Sequence, residues 1–220
     1  MDDHEHPGGG TRVEFATGAI RNQILTGGLP ANVRVHINET AAQLGMSPIP
    51  IREALRALAS EGLLEAVPQR GYRVRPTSRA DLEETYRLRL LLDPLATTLA
   101  VKNLTSADLT RLDTTLSAFE LATKAGDWQI LRRHHRDLHF GLYQASQSGW
   151  LLRFISALWE NSERYQWLAP RVRGLGPQRT REHERILETC RAGDAESAGW
   201  LMREHLTRTR DAAMKLVAPP

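Results

Sequence analysis

The spacing of apolar positions changes character along the chain. From Val13 they fall at helical intervals (Val13, Ala16, Ile20, Ile24) and stop at Gly27-Gly28, which predicts a first helix. Val33 to Ile37 reads as an extended piece. Asn38 is then the expected N-cap of a short helix, Glu39 to Leu44, closed by Gly45. Ser47 is the next N-cap, with Pro48 at the first helical position, where a missing N–H costs nothing. The third helix runs to about Ser60 and turns Ile51, Leu55 and Leu58 to one side. After Glu61-Gly62, Leu63 to Val67 and Tyr72 to Arg75 flank the turn Pro68-Gln69-Arg70-Gly71, a β-hairpin pattern. Helix, helix, short turn, helix and hairpin in this order predict a winged helix-turn-helix over residues 12–76.

Beyond residues 77–80, which read as a linker, the pattern is amphipathic helix almost without interruption. Breaks fall near Thr105-Ser106, Gly126-Asp127, Ser148-Gly149, Gly174 to Pro177 and Gly193-Asp194. They divide residues 81–216 into six or seven helices. The predicted fold class is therefore mostly α: an N-terminal winged helix-turn-helix with a small β-hairpin wing, then a C-terminal all-α helical bundle. Residues 1–11 (MDDHEHPGGGT) carry no such pattern and read as a disordered tail.

Charge and composition narrow the function. Residues 12–76 hold eight arginines against five glutamates, a net +3 that weakly favours a polyanionic partner. A single cysteine, Cys190, excludes an internal disulfide framework and a Cys-rich zinc site. No apolar run approaches the ~20 residues that span a bilayer, and the start has no signal-peptide core. A cytoplasmic protein with no membrane partner is expected.

Two constellations carry chemistry. At the start of the third helix, Ser47 offers a hydroxyl beside free N–H groups that suit a phosphate, and Arg52 stands one turn in, where it can reach a base edge. Arg70 and Gly71 at the hairpin tip are positioned for the adjacent backbone. The second constellation is histidine. Five of the eight fall between positions 134 and 205. His135 and His139 are i, i+4 and share a helix face, while His183 and His205 flank the Gly193-Asp194 break at matching distances on either side. Two helix pairs offering imidazoles at one level of a bundle is how a buried metal site is built, so His135, His139, His183 and His205 are the expected ligands of one divalent ion. His134 points elsewhere.

The stretch from Ile24 to Val74 resembles the DNA-binding domain of GntR-type bacterial transcription regulators. The resemblance rests on Leu44-Gly45-Met46-Ser47, Pro50-Ile51-Arg52-Glu53-Ala54-Leu55, Glu61-Gly62-Leu63-Leu64 and Arg70-Gly71-Tyr72-Arg73-Val74. Many relatives have Arg-Thr where this chain has Pro48-Ile49, which leaves more of the reading to Arg52. From about Asp81 to Leu216 the chain resembles the helical effector-binding (FCD) domain of the FadR branch, through Arg89 with Asp93-Pro94-Leu95, Gly126-Asp127, Leu138-His139, Leu142, His183, Gly193-Asp194 and His205-Leu206. The resemblance implies a metal held by an Asp and three His. This chain matches at His139, His183 and His205 and departs at His135, which stands where the Asp is expected.

The resulting expectation is a non-enzymatic, homodimeric, ligand-responsive regulator that reads a palindromic double-stranded DNA operator. Its helical domain takes a small carboxylate effector through a His-held divalent metal, zinc first and nickel second, with Arg89 as the effector's cation. Three alternatives stay open at this stage: a metal-dependent hydrolase with a DNA-binding-like domain, the same regulator with a metal-free pocket, and an architectural DNA binder. No His-Glu-x-x-His is present to favour the hydrolase.

Overall fold

The computed structural model describes residues 11–68, 70–76, 78–126, 128–167, 176–215 and 217. Two compact units result. The first contains residues 1–78 together with 160–168 of a later helix; the second contains 79–159 and 169–219.

In the first unit, α1 (Arg12–Leu25), α2 (Ile37–Leu44) and α3 (Pro48–Ser60) pack beside a three-stranded antiparallel sheet of order β1-β3-β2. The strands are β1 (Arg34–Val35), β2 (Leu64–Val67) and β3 (Gly71–Val74). Local chemistry accounts for the boundaries. Thr11, expected in the disordered tail, instead caps α1: its hydroxyl accepts from the Glu14 amide and the Glu14 carboxylate accepts from its own amide, a capping box. Residues 1–10 of that tail lie outside the described residues. Gly45 closes α2 in the left-handed conformation (φ 63°), and Ser47 with Pro48 opens α3.

The start of α2 differs from the sequence expectation. The helix begins at Ile37 with His36 as its cap, and Asn38 lies within the first turn. The cause is β1: Val35 pairs with Tyr72 and Arg34 with Arg73, so the chain leaves an extended ladder at His36 and turns directly into helix. In the wing, Glu65 stands opposite Arg73 and Val67 opposite Gly71. Ala16, Ile20, Ile24, Ile51, Leu55, Leu58, Leu63 and Val74 form a closed apolar core for this unit alone.

The remaining helices are α4 (Arg79–Val101), α5 (Ser106–Ala125), α6 (Trp128–Gln144), α7 (Gly149–Trp167), α8 (Gly176–Arg191) and α9 (Ala195–Met214). The starts of α5 to α9 fall at expected breaks, whereas α4 begins at Arg79, inside the stretch expected as a linker. Thr105 and Asp108 form a second capping box and Asp194 caps α9 through the Ser197 amide. The fold is mostly α throughout, and among the described residues no helix is long and apolar enough to cross a membrane. Leu112, Leu138, Leu142, Ile155, Leu187, Met202 and Leu206 share the second unit's core. That core sets the level at which α4, α6, α8 and α9 face one another.

The contact of α4 with α9 depends on Gly199. A Cβ there would lie 2.3 Å from Thr98 Oγ1 and 3.3 Å from the Pro94 carbonyl oxygen, so the two helices meet closely only because this residue has no side chain. Alanine is the better helix former by ~1 kcal/mol. Gly199→Ala is nevertheless expected to destabilise the protein by ~1–3 kcal/mol through overpacking. Urea unfolding midpoints measure it, and pairing with Thr98→Ala should recover part of the loss.

Candidate metal centre and nucleic-acid interface

His135 and His139 project from α6, His183 from α8 and His205 from α9. All four are buried, and one ligand atom from each lies within 4.8 Å of all the others. His139 Nε2 is 3.1 Å from His135 Nε2 and 3.0 Å from His183 Nε2. The His183 and His205 rings are 4.5 Å apart between centroids. Phe119 and Trp159 wall the cluster: Phe119 lies 5.5 Å from both His135 and His183, Trp159 5.2 Å from His135 and 4.9 Å from His139. Sequence spacing thus anticipated all four imidazoles meeting at one level, with His134 outside the cluster.

The outer edges of two rings are held by partners that fix which nitrogen faces inward. Tyr143 O–H donates to Asp93 Oδ2 (3.1 Å), so the same oxygen accepts from His139 Nδ1 at 2.9 Å. That places the proton of His139 on Nδ1 and leaves the Nε2 lone pair pointing at the cluster. His205 Nδ1 donates to Glu182 Oε2 at 2.8 Å, with the same consequence. Glu182 is itself steadied through Oε1 by Arg208 Nη1 at 2.8 Å. A carboxylate or phenol on the far nitrogen is the usual means of orienting a metal-ligating imidazole.

Electrostatics keep these rings neutral. Burial is the largest influence and holds His135, His139 and His183 well below the usual histidine range; the Arg179 charge adds to this at His135 and His183, as neighbouring imidazoles do at all three. His205 is also lowered by burial, with the Glu182 hydrogen bond opposing it. Burial works to raise Glu182, but the hydrogen bond from His205 outweighs it with help from Arg208, and the carboxylate ends below its usual range. Neutral imidazole is the form that coordinates a metal.

Arg89 sits on α4 with 1% exposure, its Nη2 2.6 Å and Nε 3.2 Å from Asp93 Oδ2, and its guanidinium 4.6 Å from the Trp159 ring centre. Burial opposes its charge, and the Asp93 carboxylate more than restores it. The sequence-predicted effector cation is therefore already bound to an acid, and it reaches the imidazoles through Trp159 and through the chain Asp93–Tyr143–His139. Among the described residues, the buried atoms without a hydrogen-bond partner include His183 Nδ1 and Asp93 Oδ1. Each costs of order 1–3 kcal/mol if left bare.

Sequence reasoning did not find Tyr143, Glu182 or Arg179. Tyr143 stands i+4 from His139, so the signal was present. Glu182 is the neighbour of His183 in sequence yet serves His205, a relation that only the packing of α8 on α9 reveals. Arg179 is partly buried and its side chain makes no hydrogen bond or ion pair among the described residues, while its charge depresses three of the four imidazoles.

On the first unit, Ser47 is exposed at the N-terminus of α3 and its side chain makes no cap hydrogen bond, which leaves the hydroxyl available. Arg52 is exposed and unpaired among the described residues, because the neighbouring Glu53 bonds Arg56 at 3.1 Å. Arg70 is exposed at the wing tip, and Gly71 holds φ 84°, a conformation that disfavours any side chain.

A winged helix-turn-helix with an exposed arginine on its second helix, alongside a bundle that closes four imidazoles around one point, defines a DNA-binding type of protein with a separate helical unit. Residues 7–74 match the "Bacterial regulatory proteins, gntR family" and residues 84–208 match the "FCD domain", and the chain belongs to this family of transcription regulators. It is 33% identical over 140 residues to the HTH-type transcriptional regulator McbR of Escherichia coli, a match covering 64% of this chain and 63% of that protein. It is 31% identical over 185 residues to the "Probable D-xylose utilization operon transcriptional repressor" of Paenarthrobacter nicotinovorans, covering 84% of this chain and 80% of that one. The solved structure of E. coli McbR/YncC superposes with a TM-score of 0.81 at 25% identity, over 94% of this chain and 98% of that chain. These relatives and the gntR family model are described as transcription regulators.

The lowered imidazoles set a pH dependence. An unfolded histidine takes up a proton near pH 6.5, whereas the folded cluster resists it to lower pH, so the unfolded chain binds more protons in that window. Stability is full above ~6.5 and falls as pH drops below it, by up to ~1.4 kcal/mol per pH unit for each imidazole. Urea midpoints recorded between pH 8 and pH 5 in the presence of a chelator should show this decline. A flat profile would mean that the rings are not held neutral.

Proposed function

We propose that the protein is a homodimeric, effector-responsive repressor or activator whose α3 reads an operator half-site and whose imidazole cage holds a divalent metal that receives a small carboxylate. The observation that carries this reading is the convergence of four buried imidazoles with ligand atoms within 4.8 Å of one another. Two nitrogens bound at right angles to one ion at ~2.0–2.1 Å stand ~3 Å apart, which agrees with the 3.0 and 3.1 Å separations at His139. An all-nitrogen donor set favours zinc, then nickel, over harder cations. Such an ion, when bound, supplies a positive centre with open positions for an anionic effector.

The chain's own residues do the rest. Glu182 and Tyr143 aim the ligating nitrogens, Trp159 and Phe119 keep water from the rings, and Arg179 and Arg89 make the surroundings cationic. Arg179 is the stronger candidate for direct contact with the effector's carboxylate because Asp93 does not neutralise it. Effector binding regulates only by favouring one state of the dimer on DNA over another. On the DNA side, Ser47 and the α3 N-terminus suit a phosphate, Arg52 a guanine edge, and Arg70 with Gly71 the neighbouring backbone. A two-fold dimer matches a palindromic operator.

Two experiments test the two halves separately. Arg52→Ala is expected to weaken binding to operator DNA by ~1–3 kcal/mol while leaving binding to random DNA nearly unchanged. Fluorescence anisotropy on both duplexes measures it, and equal losses would reduce Arg52 to a phosphate contact. For the metal, zinc added to chelator-stripped protein should bind one ion per chain, raise the Tm and change the emission of Trp159. Glu182→Gln should cost ~10–100-fold in zinc affinity and His183→Ala more than that. His183→Ala should also abolish the effector response yet spare operator binding, since the winged unit has its own core. Zinc that leaves Tm and emission unmoved would make the cage a metal-free pocket.

A further inference from the structure

Helix α4 and the residue that follows it present a stripe whose three leucines the rest of the unit leaves exposed, with Thr98 at its border against α9. Glu84, Leu88, Leu91, Leu95, Thr98 and Lys102 follow one another at alternating intervals of four and three residues, the repeat of a coiled-coil seam. The opposite side of the helix, with Leu82, Tyr86, Arg89, Asp93 and Ala96, is buried in the bundle. On the stripe, Leu88 is 41% exposed, Leu91 56% and Leu95 47%, a contiguous apolar run unusual on a free helix surface. Glu84 and Lys102 at its two ends are exposed and make no hydrogen bond or ion pair among the described residues.

This pattern is self-complementary. An isologous contact brings the same patch of two subunits together about a two-fold axis, so each residue must suit its counterpart after the chain is reversed. Two antiparallel copies of α4, with the axis at the level of residue 93, put Leu91 against Leu95 of the second copy and Leu88 against its Thr98. The same register puts Glu84 against Lys102, twice over by symmetry. Other registers lose either the leucine contacts or the ion pairs. Trp200, 56% exposed, follows Gly199, whose close approach to Thr98 places it at the edge of this stripe and widens the apolar area.

We infer that the α4 stripe is the centre of the homodimer interface, in which two copies pack antiparallel through Leu88, Leu91 and Leu95 with reciprocal Glu84–Lys102 ion pairs. The inference rests on the homodimer reading above and specifies its surface and register. It also places the interface on the helix that carries Arg89 and Asp93, one turn from the leucines, so the dimer contact and the effector cage share a rigid element.

Charge reversal tests the register in the full-length protein, with sedimentation velocity at low salt as the readout and circular dichroism melts as the check on folding. Glu84→Lys and Lys102→Glu each replace two attractive pairs by two repulsive ones, and each is expected to weaken dimerisation by ~5–30-fold. The double variant restores opposite charges and should return to within ~3-fold of the parent. Leu91→Glu, at an exposed position, should give a folded monomer. Dimers unaffected by all four variants would overturn the seam while leaving the homodimer reading intact. Single-variant losses that the double variant fails to recover would overturn the antiparallel register. A parent protein that sediments as a monomer, with and without operator DNA, would remove both.

Discussion

Bringing four imidazoles to one point without charging them is the constraint around which the helical unit is organised. Each ring must be buried, since an exposed imidazole would titrate near neutrality, and each must turn a lone pair inward, since protonated rings in mutual contact would repel. Burial alone does the first. The second needs hydrogen-bond acceptors on the far side of the rings, and the fold places them on different helices: Tyr143 on α6 backed by Asp93 on α4, and Glu182 on α8 for His205 on α9. The orientation of the cage is thus a property of four packed helices rather than of any one of them, which is why the close α4–α9 contact at Gly199 matters to the site.

The charges surrounding the cage are unequal. Asp93 is matched by Arg89, and the half-buried Glu182 by Arg208, so these two acids are compensated within the fold. Arg179 is not. Burial lowers its pKa while the charges of Tyr86 and Glu182 partly support it. A partly buried guanidinium with no acid bound to it, beside neutral imidazoles, gives the pocket a net positive field before any metal is considered.

Much of this was legible in the sequence because the relevant signals are local. Caps and stops marked many helix boundaries: Ser47-Pro48 opens α3 and Gly45 closes α2 as read, and the five breaks of the second half fall at the starts of α5 to α9. The histidine convergence was also readable, since i, i+4 spacing and equal distances from a turn are geometric statements about helices. What escaped was non-local. The first turn of α2 is set by β1 pairing with β3, forty residues away in its partners, and no propensity at Asn38 reports that. The cap at Thr11 was hidden by the featureless residues before it. Glu182 and Asp93 support rings on other helices, so their roles follow from packing and not from spacing.

The substitution at position 135 shows how such packing absorbs a change in ligand chemistry. The resemblance implies an aspartate there, which would bring a negative charge into direct contact with a bound cation. Histidine brings none, and the ring must then be accommodated against Phe119 and Trp159, which it meets at 5.5 and 5.2 Å. The compensating charge lies one bond further out: Glu182 acts through His205, and Asp93 through Tyr143 and His139. A hydrogen-bonded carboxylate raises the electron density of the ring nitrogen opposite it, so part of the lost charge is returned through the imidazoles instead of by direct ligation. A cation held by this cage would therefore be less neutralised by its surroundings than one held by an aspartate.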